Sequence, residues 1–251
     1  EIGSGLVGSE MCIRDRCYCV ISFTALFMNH KFIPTLTFIL LVSYTVISCM
    51  GNGYTCDESN ILSIIDRQLF GEAHLYQKSP IDPEGFVSTL SAIAHTCIGF
   101  SCGKWIIQSH QTENKVLRLF LTGFILMSIG YLLADALPLN KRIWSPTFVL
   151  VTCGAASMSL ATLMYYIDIR NKQKWCRFFI IFGVNPLFLY VLSEVLAIMM
   201  GSTGWKAAAY AAIHSGITDA YLASAVYALV FTLFLGCIGY PLYLKKIYIK
   251  L

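Results

Sequence analysis

The chain has 251 residues, of which 57% are hydrophobic and only 13% charged, with a formal net charge of +4. Soluble domains carry about 25% charged residues, so this composition points away from a soluble globular domain and toward a polytopic membrane protein. The small basic excess sits in loops and excludes a nucleic-acid partner; no phosphate-cradling glycine loop and no zinc-type cysteine array occur, so no metal site is expected.

The first segment, EIGSGLVGSEMCIRDR (residues 1–16), is polar and Gly-rich and does not continue the apolar pattern that follows. No basic region precedes an apolar one, so it is not a signal peptide. It resembles a translated adapter scar and is read as non-native, with the native chain starting near Cys17. A membrane-spanning helix needs about 20 apolar residues. Such runs are read at about 17–29, 32–50, 85–107, 117–137, 145–167, 178–200 and 220–243, the first too short to cross alone. No barrel-type alternation is visible, so the expected fold class is all-α: a polytopic membrane protein of about six to seven transmembrane helices with a truncated N-terminal half.

Lys31, Lys104, Lys115, Arg118, Arg170, Lys172, Lys174, Arg177, Lys245, Lys246 and Lys250 fall in one alternate set of loops. That set is cytoplasmic by the positive-inside rule, which puts the C-terminus inside. The opposite set includes the longest loop, 51–84, rich in acids, whose stretch NILSIIDRQLF (60–70) can lie along the membrane surface or cover a pocket. Of the ten cysteines, Cys97, Cys102, Cys153 and Cys237 lie in apolar runs as small hydrophobes. Only Cys56 stands in a long polar loop, as a candidate bridge to a second subunit of a homodimer.

Four places carry polar groups worth weighing. In SPIDPEGFVSTL (79–90), Asp82, Pro83 and Glu84 suit the opening of the next helix. They equally suit two carboxylates at the mouth of an outward-facing site. In PLNKRIWSPTFV (138–149), Asn140, Lys141, Arg142 and Trp144 form a short outer turn, an interfacial anchor or a second wall of that site. In FGVNPLFLYVLSEV (182–195), Pro186 predicts a kink, and Asn185 can bond between helices or reach a ligand. Glu194 is a further intramembrane ionisable group. His95, mid-span, reads as a hydrogen-bonded packing residue.

Taken in order, IDRQLFGEAHLYQ (65–77), DPEGFVSTLSAIAHTCIGFSCGKW (82–105), LNKRIWSPTFVL (139–150), YIDI (166–169) and FGVNPLFLYVLSEV (182–195) resemble the second half of the heparan-alpha-glucosaminide N-acetyltransferase family. The resemblance covers about 60–245 and makes residues 17–251 the C-terminal part of a transmembrane acyltransferase domain. It implies an enzyme that moves acetyl from cytosolic acetyl-CoA, as co-substrate, to an amino sugar or glycan on the far side. Arg67, His74, Asp82 and Glu84 then become candidate site or loop-framing residues, with Asn140, Lys141 and Trp144 in the next outer turn. Asn185 matches an Asn that in the family lines the core near the acyl-donor path, whereas Pro186 departs from the small or apolar residue common there. The family's catalytic histidine belongs to an upstream block, before an Asp-Leu-Val-Phe-Pro type sequence, that this chain lacks. The chain alone is therefore expected to be inactive. Its expected partners are the glycan acceptor and membrane lipid, in a bacterial inner membrane.

Two other classes stay open. A transporter or carrier is suggested by the broken helix at Asn185-Pro186 and by Glu194, with the absence of an internal repeat against it. A seven-helix receptor fits the helix count and the inward C-terminus, but not the five ordered blocks.

Overall fold

The computed structural model describes residues 6–55, 57, 59–71, 85–109, 111–217 and 219–249. Every regular element among them is helical. The chain divides into two compact units, Glu1–Asn171 and Lys172–Leu251.

The first unit holds α1 (Leu6–Phe27), α2 (Ile33–Met50), α3 (Ile61–Phe70), α4 (Ser88–Gln108), α5 (Thr112–Leu132) and α6 (Pro146–Met164). Local chemistry sets most of the boundaries. Asn60 accepts from Leu62 N–H at the start of α3, and Ser145 does the same for Phe148 N–H at the start of α6, where Pro146 occupies the first turn. Part of the 1–16 segment is helical from Leu6 onward. Ile13, Cys17 and Ile21, four residues apart, form one buried stripe of α1 and cluster with Ala92, Ile93 and Cys97 of α4.

The pair α5–α6 packs closest. A Cβ on Gly123 would sit 2.7 Å from the Gly154 carbonyl oxygen, and one on Gly154 would sit 2.6 Å from the Gly123 oxygen. The two backbones therefore touch where neither residue has a side chain, the way apolar helices gain contact without a hydrophobic driving force. At its end α6 widens into a single π turn, Tyr165–Ile169, closed by Arg170 N–H on the Tyr165 carbonyl.

The second unit holds α7 (Cys176–Val184), α8 (Pro186–Ser202), α9 (Trp205–His214) and α10 (Ala220–Leu244). Asp219 caps α10 through Tyr221 and Leu222 N–H. Phe178 faces Ala228, Leu229, Thr232 and Leu233, while Phe182 meets Gly236 and Ile181 meets Gly239. These contacts advance together along both helices, so α7 and α10 run in the same direction.

Among the described residues, five helical stretches are long and apolar enough to cross a membrane: His30–Met50, Ser88–Gln108, Thr112–Leu132, Pro146–Ile169 and Ala220–Leu244. Their exposed faces carry large apolar side chains such as Phe38, Phe124, Ile125, Leu229 and Val230, which water would not tolerate as continuous surface. The chain is thus a polytopic helical membrane protein. Among the described residues the candidate spans number five, or six if α7 and α8 count as one, beside the six to seven expected. Two features lower it. Helix α1 carries Glu10, Arg14, Asp15 and Arg16 in its first half. The expected crossing at 178–200 is no straight helix: α7 and α8 meet at 82°. At 1.5 Å per residue they are about 14 and 26 Å long, each short of a 30 Å hydrocarbon layer.

Candidate functional site at the loop-bearing end of the first unit

The loop after α2, helix α3, the approach to α4 and the turn between α5 and α6 converge at one end of the first unit. Helix α3 is pinned there by an apolar face: Leu62 is buried with Tyr44, Val87 and Ile143, and Ile61 and Ile65 pack against them. Asn60, fully buried, closes the preceding loop. Its amide donates to the Gly53 and Thr55 carbonyls at 2.9 Å each, while its oxygen caps α3. The amphipathic stretch 60–70 therefore covers the ends of the helices beneath it.

The start of α4 is held by an acid from another helix. Helix α4 begins at Ser88, and Val87 provides no side-chain cap, so the start expected at Asp82–Glu84 lies further along the chain. Asp66 of α3 accepts from Phe86 N–H at 2.8 Å. Gly85 lies so close to this carboxylate that a Cβ would fall 2.0 Å from Asp66 Oδ2. Only glycine lets the backbone approach. Ser88 and Thr89 return hydrogen bonds to the Gly85 carbonyl at 2.8 and 3.1 Å.

The turn 138–145 is the second wall. Asn140 Oδ1 accepts from Arg142 N–H at 2.9 Å, and Asn140 N–H donates to Ser145 Oγ at 3.0 Å. Ser145 Oγ accepts again from Phe148 N–H, so its own proton goes to Thr147 Oγ1 at 3.0 Å, which donates on to the Pro138 carbonyl at 3.4 Å. Trp144 sits at φ +50°, a left-handed conformation rare for a bulky residue. Such strain is of order 1–3 kcal/mol and persists where the surroundings over-determine it. Here they do. Ser91 Oγ of α4 donates to the Trp144 carbonyl at 2.6 Å, and Tyr44 OH of α2 donates to the adjacent Ile143 carbonyl. The indole packs edge-on against His95 and Phe148, with ring centres 5.5 and 5.8 Å away. His95 Nδ1 is buried with no hydrogen-bond partner among the described residues, and the ring packs against Trp144, as expected of a packing residue.

One side chain at this end is perturbed in a way that bears on chemistry. Tyr54, in the loop above α3, has its phenol pushed up to about 12, by burial first and by its proximity to Cys49 second. It stays neutral at any physiological pH and offers a hydrogen bond, not a charge. Its hydroxyl has no partner among the described residues.

The candidate residues from the sequence fall as follows. Arg67 lies in the last turn of α3, and Asn140 and Lys141 lie in the 138–145 turn, so all three share this end of the unit. Lys141 is exposed, and the Asn140 carboxamide oxygen frames its own turn. His74, Asp82 and Glu84 lie outside the described residues, as does Cys56. Asn185 belongs to the second unit; it is buried, and its amide bonds the chain's own backbone, Nδ2 to the Ile247 carbonyl and Oδ1 from Ile249 N–H, at 2.8 Å each. Sequence reasoning missed Tyr44, Ser91 and the capping role of Asp66. Tyr44 and Ser91 sit in apolar runs and carry no charge, so no local pattern marks them. Asp66, a lone acid on the apolar side of an amphipathic helix, was a signal that could have been read. No group of side chains able to hold a metal ion occurs among the described residues.

Comparison with known proteins finds distant relatives. The mouse protein heparan-alpha-glucosaminide N-acetyltransferase is 27% identical over 204 residues, covering 74% of this chain and 30% of the mouse protein. The human protein of the same name is 27% identical over 204 residues, covering 29% of its own length. The chain is a distant relative of the heparan-alpha-glucosaminide N-acetyltransferases. No family model matches it. It spans about three tenths of the length of these acetyltransferases. The relationship agrees with the five ordered motif blocks, of which three meet at the loop-bearing end: the 65–77 block through α3, the 82–105 block through the start of α4 and the 139–150 block through the strained turn.

Proposed function

We propose that this chain forms part of a membrane acetyltransferase that carries acetyl from acetyl-CoA to an amino sugar or glycan on the opposite face. The observation that supports this most is the 204-residue similarity to proteins named heparan-alpha-glucosaminide N-acetyltransferase, in a chain whose helices are built for lipid. The loop-bearing end supplies a rigid frame on which an acceptor can be oriented. Arg67, Lys141 and Arg142 are cationic groups at that frame, and His74, Asp82 and Glu84 fall between α3 and α4 in the sequence. Holding amine and acyl donor in a reactive pose would supply most of the acceleration, and a base must take the proton that the amine loses. In the family that base belongs to an upstream block outside these 251 residues, so the proposal assigns binding and orientation to this chain and proton transfer elsewhere. The Lys and Arg distribution supports a cytoplasmic C-terminus.

The test is transfer of labelled acetyl from acetyl-CoA to glucosamine by the intact gene product in detergent, beside the 251-residue chain alone. Transfer by the former and none by the latter is expected. Replacing Lys141 by Ala is expected to lower kcat/KM for the acceptor by about tenfold, as loss of one charge-assisted contact does. Absence of both acetyl-CoA binding and transfer would sink the enzyme reading.

A carrier is the second reading, favoured by one observation: the 82° break between α7 and α8, since discontinuous membrane helices form the binding sites of many transporters. Substrate flux into proteoliposomes without acetyl transfer would put it first.

A further inference from the structure

Asn185 stands at the break between α7 and α8, in the position that caps α8, yet its side chain makes no cap hydrogen bond. Pro186 fills the first helical position and has no N–H, which leaves Leu187 and Phe188 as the amide donors of the first turn. An Asn at this position ordinarily turns its oxygen to one of those amides. Here the oxygen accepts from Ile249 N–H and the amide donates to the Ile247 carbonyl, each at 2.8 Å. That is the pair of bonds one strand makes with another. The tail reaches this position because the chain reverses after α10: Lys246 adopts φ +53°, and Ile247 N–H returns to the Leu242 carbonyl at 3.0 Å. Asn185 itself is held at φ −134°, ψ 60°, away from the extended backbone of an ordinary cap.

With Asn185 held at φ −134°, ψ 60°, its carboxamide oxygen serves the tail and leaves the cap of α8 unfilled. We infer that Asn185 is a two-state latch: it either clamps the C-terminal tail at Ile247–Ile249 or caps α8 at Leu187–Phe188, and release of the tail is compensated by the cap. The two states differ in the backbone of Asn185, so the angle between α7 and α8 follows the tail. This is a positioning role, independent of which substrate the protein handles. It makes the tail a device through which anything that binds the last residues can reset the broken helix.

Hydrogen exchange followed by mass spectrometry on the full 251-residue chain in detergent tests it. Asn185→Asp keeps a capping oxygen but sets a carboxylate against the Ile247 carbonyl. Exchange at Ile247–Ile249 is expected to rise about tenfold or more as two hydrogen bonds are lost, while exchange at Leu187 and Phe188 slows. Asn185→Ala is expected to free the tail equally without slowing Leu187 and Phe188, because it cannot cap. A plain structural contact would loosen the tail in both variants and slow those amides in neither, and that pattern overturns the latch, as does unchanged tail exchange in Asn185→Asp. Slow exchange in the body of α10 serves as the folding control. If a variant fails it, deletion of residues 246–251 from the wild-type chain gives the same reading: Leu187 and Phe188 must slow, and if they do not the proposal falls.

Discussion

The loop-bearing end of the first unit and the helix break of the second solve the same problem in opposite ways. Each must satisfy polar backbone where helices end among apolar surroundings, because an unpaired group there costs several kcal/mol. At the loop-bearing end the work is shared. Asn60, Asp66, Ser91, Tyr44, Ser145 and Thr147 each bind between one and three backbone groups from different segments. At the break one side chain, Asn185, carries both bonds. Redundancy makes the first region rigid enough to hold Trp144 in a strained conformation. Its absence makes the second able to exist in two arrangements. Rigid frame and hinge are distinguished here by how many residues share the satisfaction, not by helix content.

The comparison breaks most severely where packing has no slack at all. Gly154→Leu forces a side chain into the Gly123 backbone, and neither helix can yield without separating. Overpacking commonly costs 1–3 kcal/mol and more against backbone, so a fall in Tm of about 10 °C or loss of folded protein in detergent is expected. A variant melting like wild type would show that α5 and α6 do not touch there. Next comes Asp66→Ala, which removes the carboxylate that accepts from Phe86 N–H and loosens the start of α4. A loss of about 1–3 kcal/mol is expected by chemical denaturation. Because the satisfaction is shared, Ser91→Ala is expected to cost only about 1 kcal/mol, with Tyr44 still holding the same turn. A collapse of the turn in Ser91→Ala alone would refute the redundancy argument.

Orientation sharpens the comparison without disturbing the fold. A cytoplasmic C-terminus requires α10 to point inward, and α7, running the same way, then cannot rise upright from the cytoplasmic face. Accessibility of a tag after residue 251 and of a cysteine at Lys174 to impermeant reagents, in intact cells or spheroplasts, decides it. Both on the cytoplasmic side means that α7 lies tilted or near the surface. The smallest effect concerns Tyr54. A phenol raised in the folded state from 10 to about 12 holds its proton more tightly there than in the unfolded chain. Its contribution to stability is therefore complete below pH 10 and is lost as pH rises toward 12. A Tyr54→Phe variant is expected to show a shallower loss of stability across that interval than wild type.

Read alone, the residues were enough for the class of protein and most of its elements. Runs of about 20 apolar residues can only be helices in lipid, whose backbone bonds close within the segment, so no partner need be known to place them. Motif order carried the resemblance to the acetyltransferases in the same way. The break at Asn185-Pro186 was legible as a kink because proline removes a donor wherever it stands. Its angle was not, nor the destination of the Asn185 amide, because the groups it binds lie more than sixty residues away in sequence. The same holds at the other end. Nothing near Asp66 in sequence announces that it serves the backbone at Phe86, and nothing near Ser91 or Tyr44 announces Trp144 and Ile143. Local preference sets which residues form a helix. Which polar side chain satisfies which distant backbone group is decided only when the helices pack, since an uncharged hydroxyl or amide acquires its role from the partner that burial brings within reach.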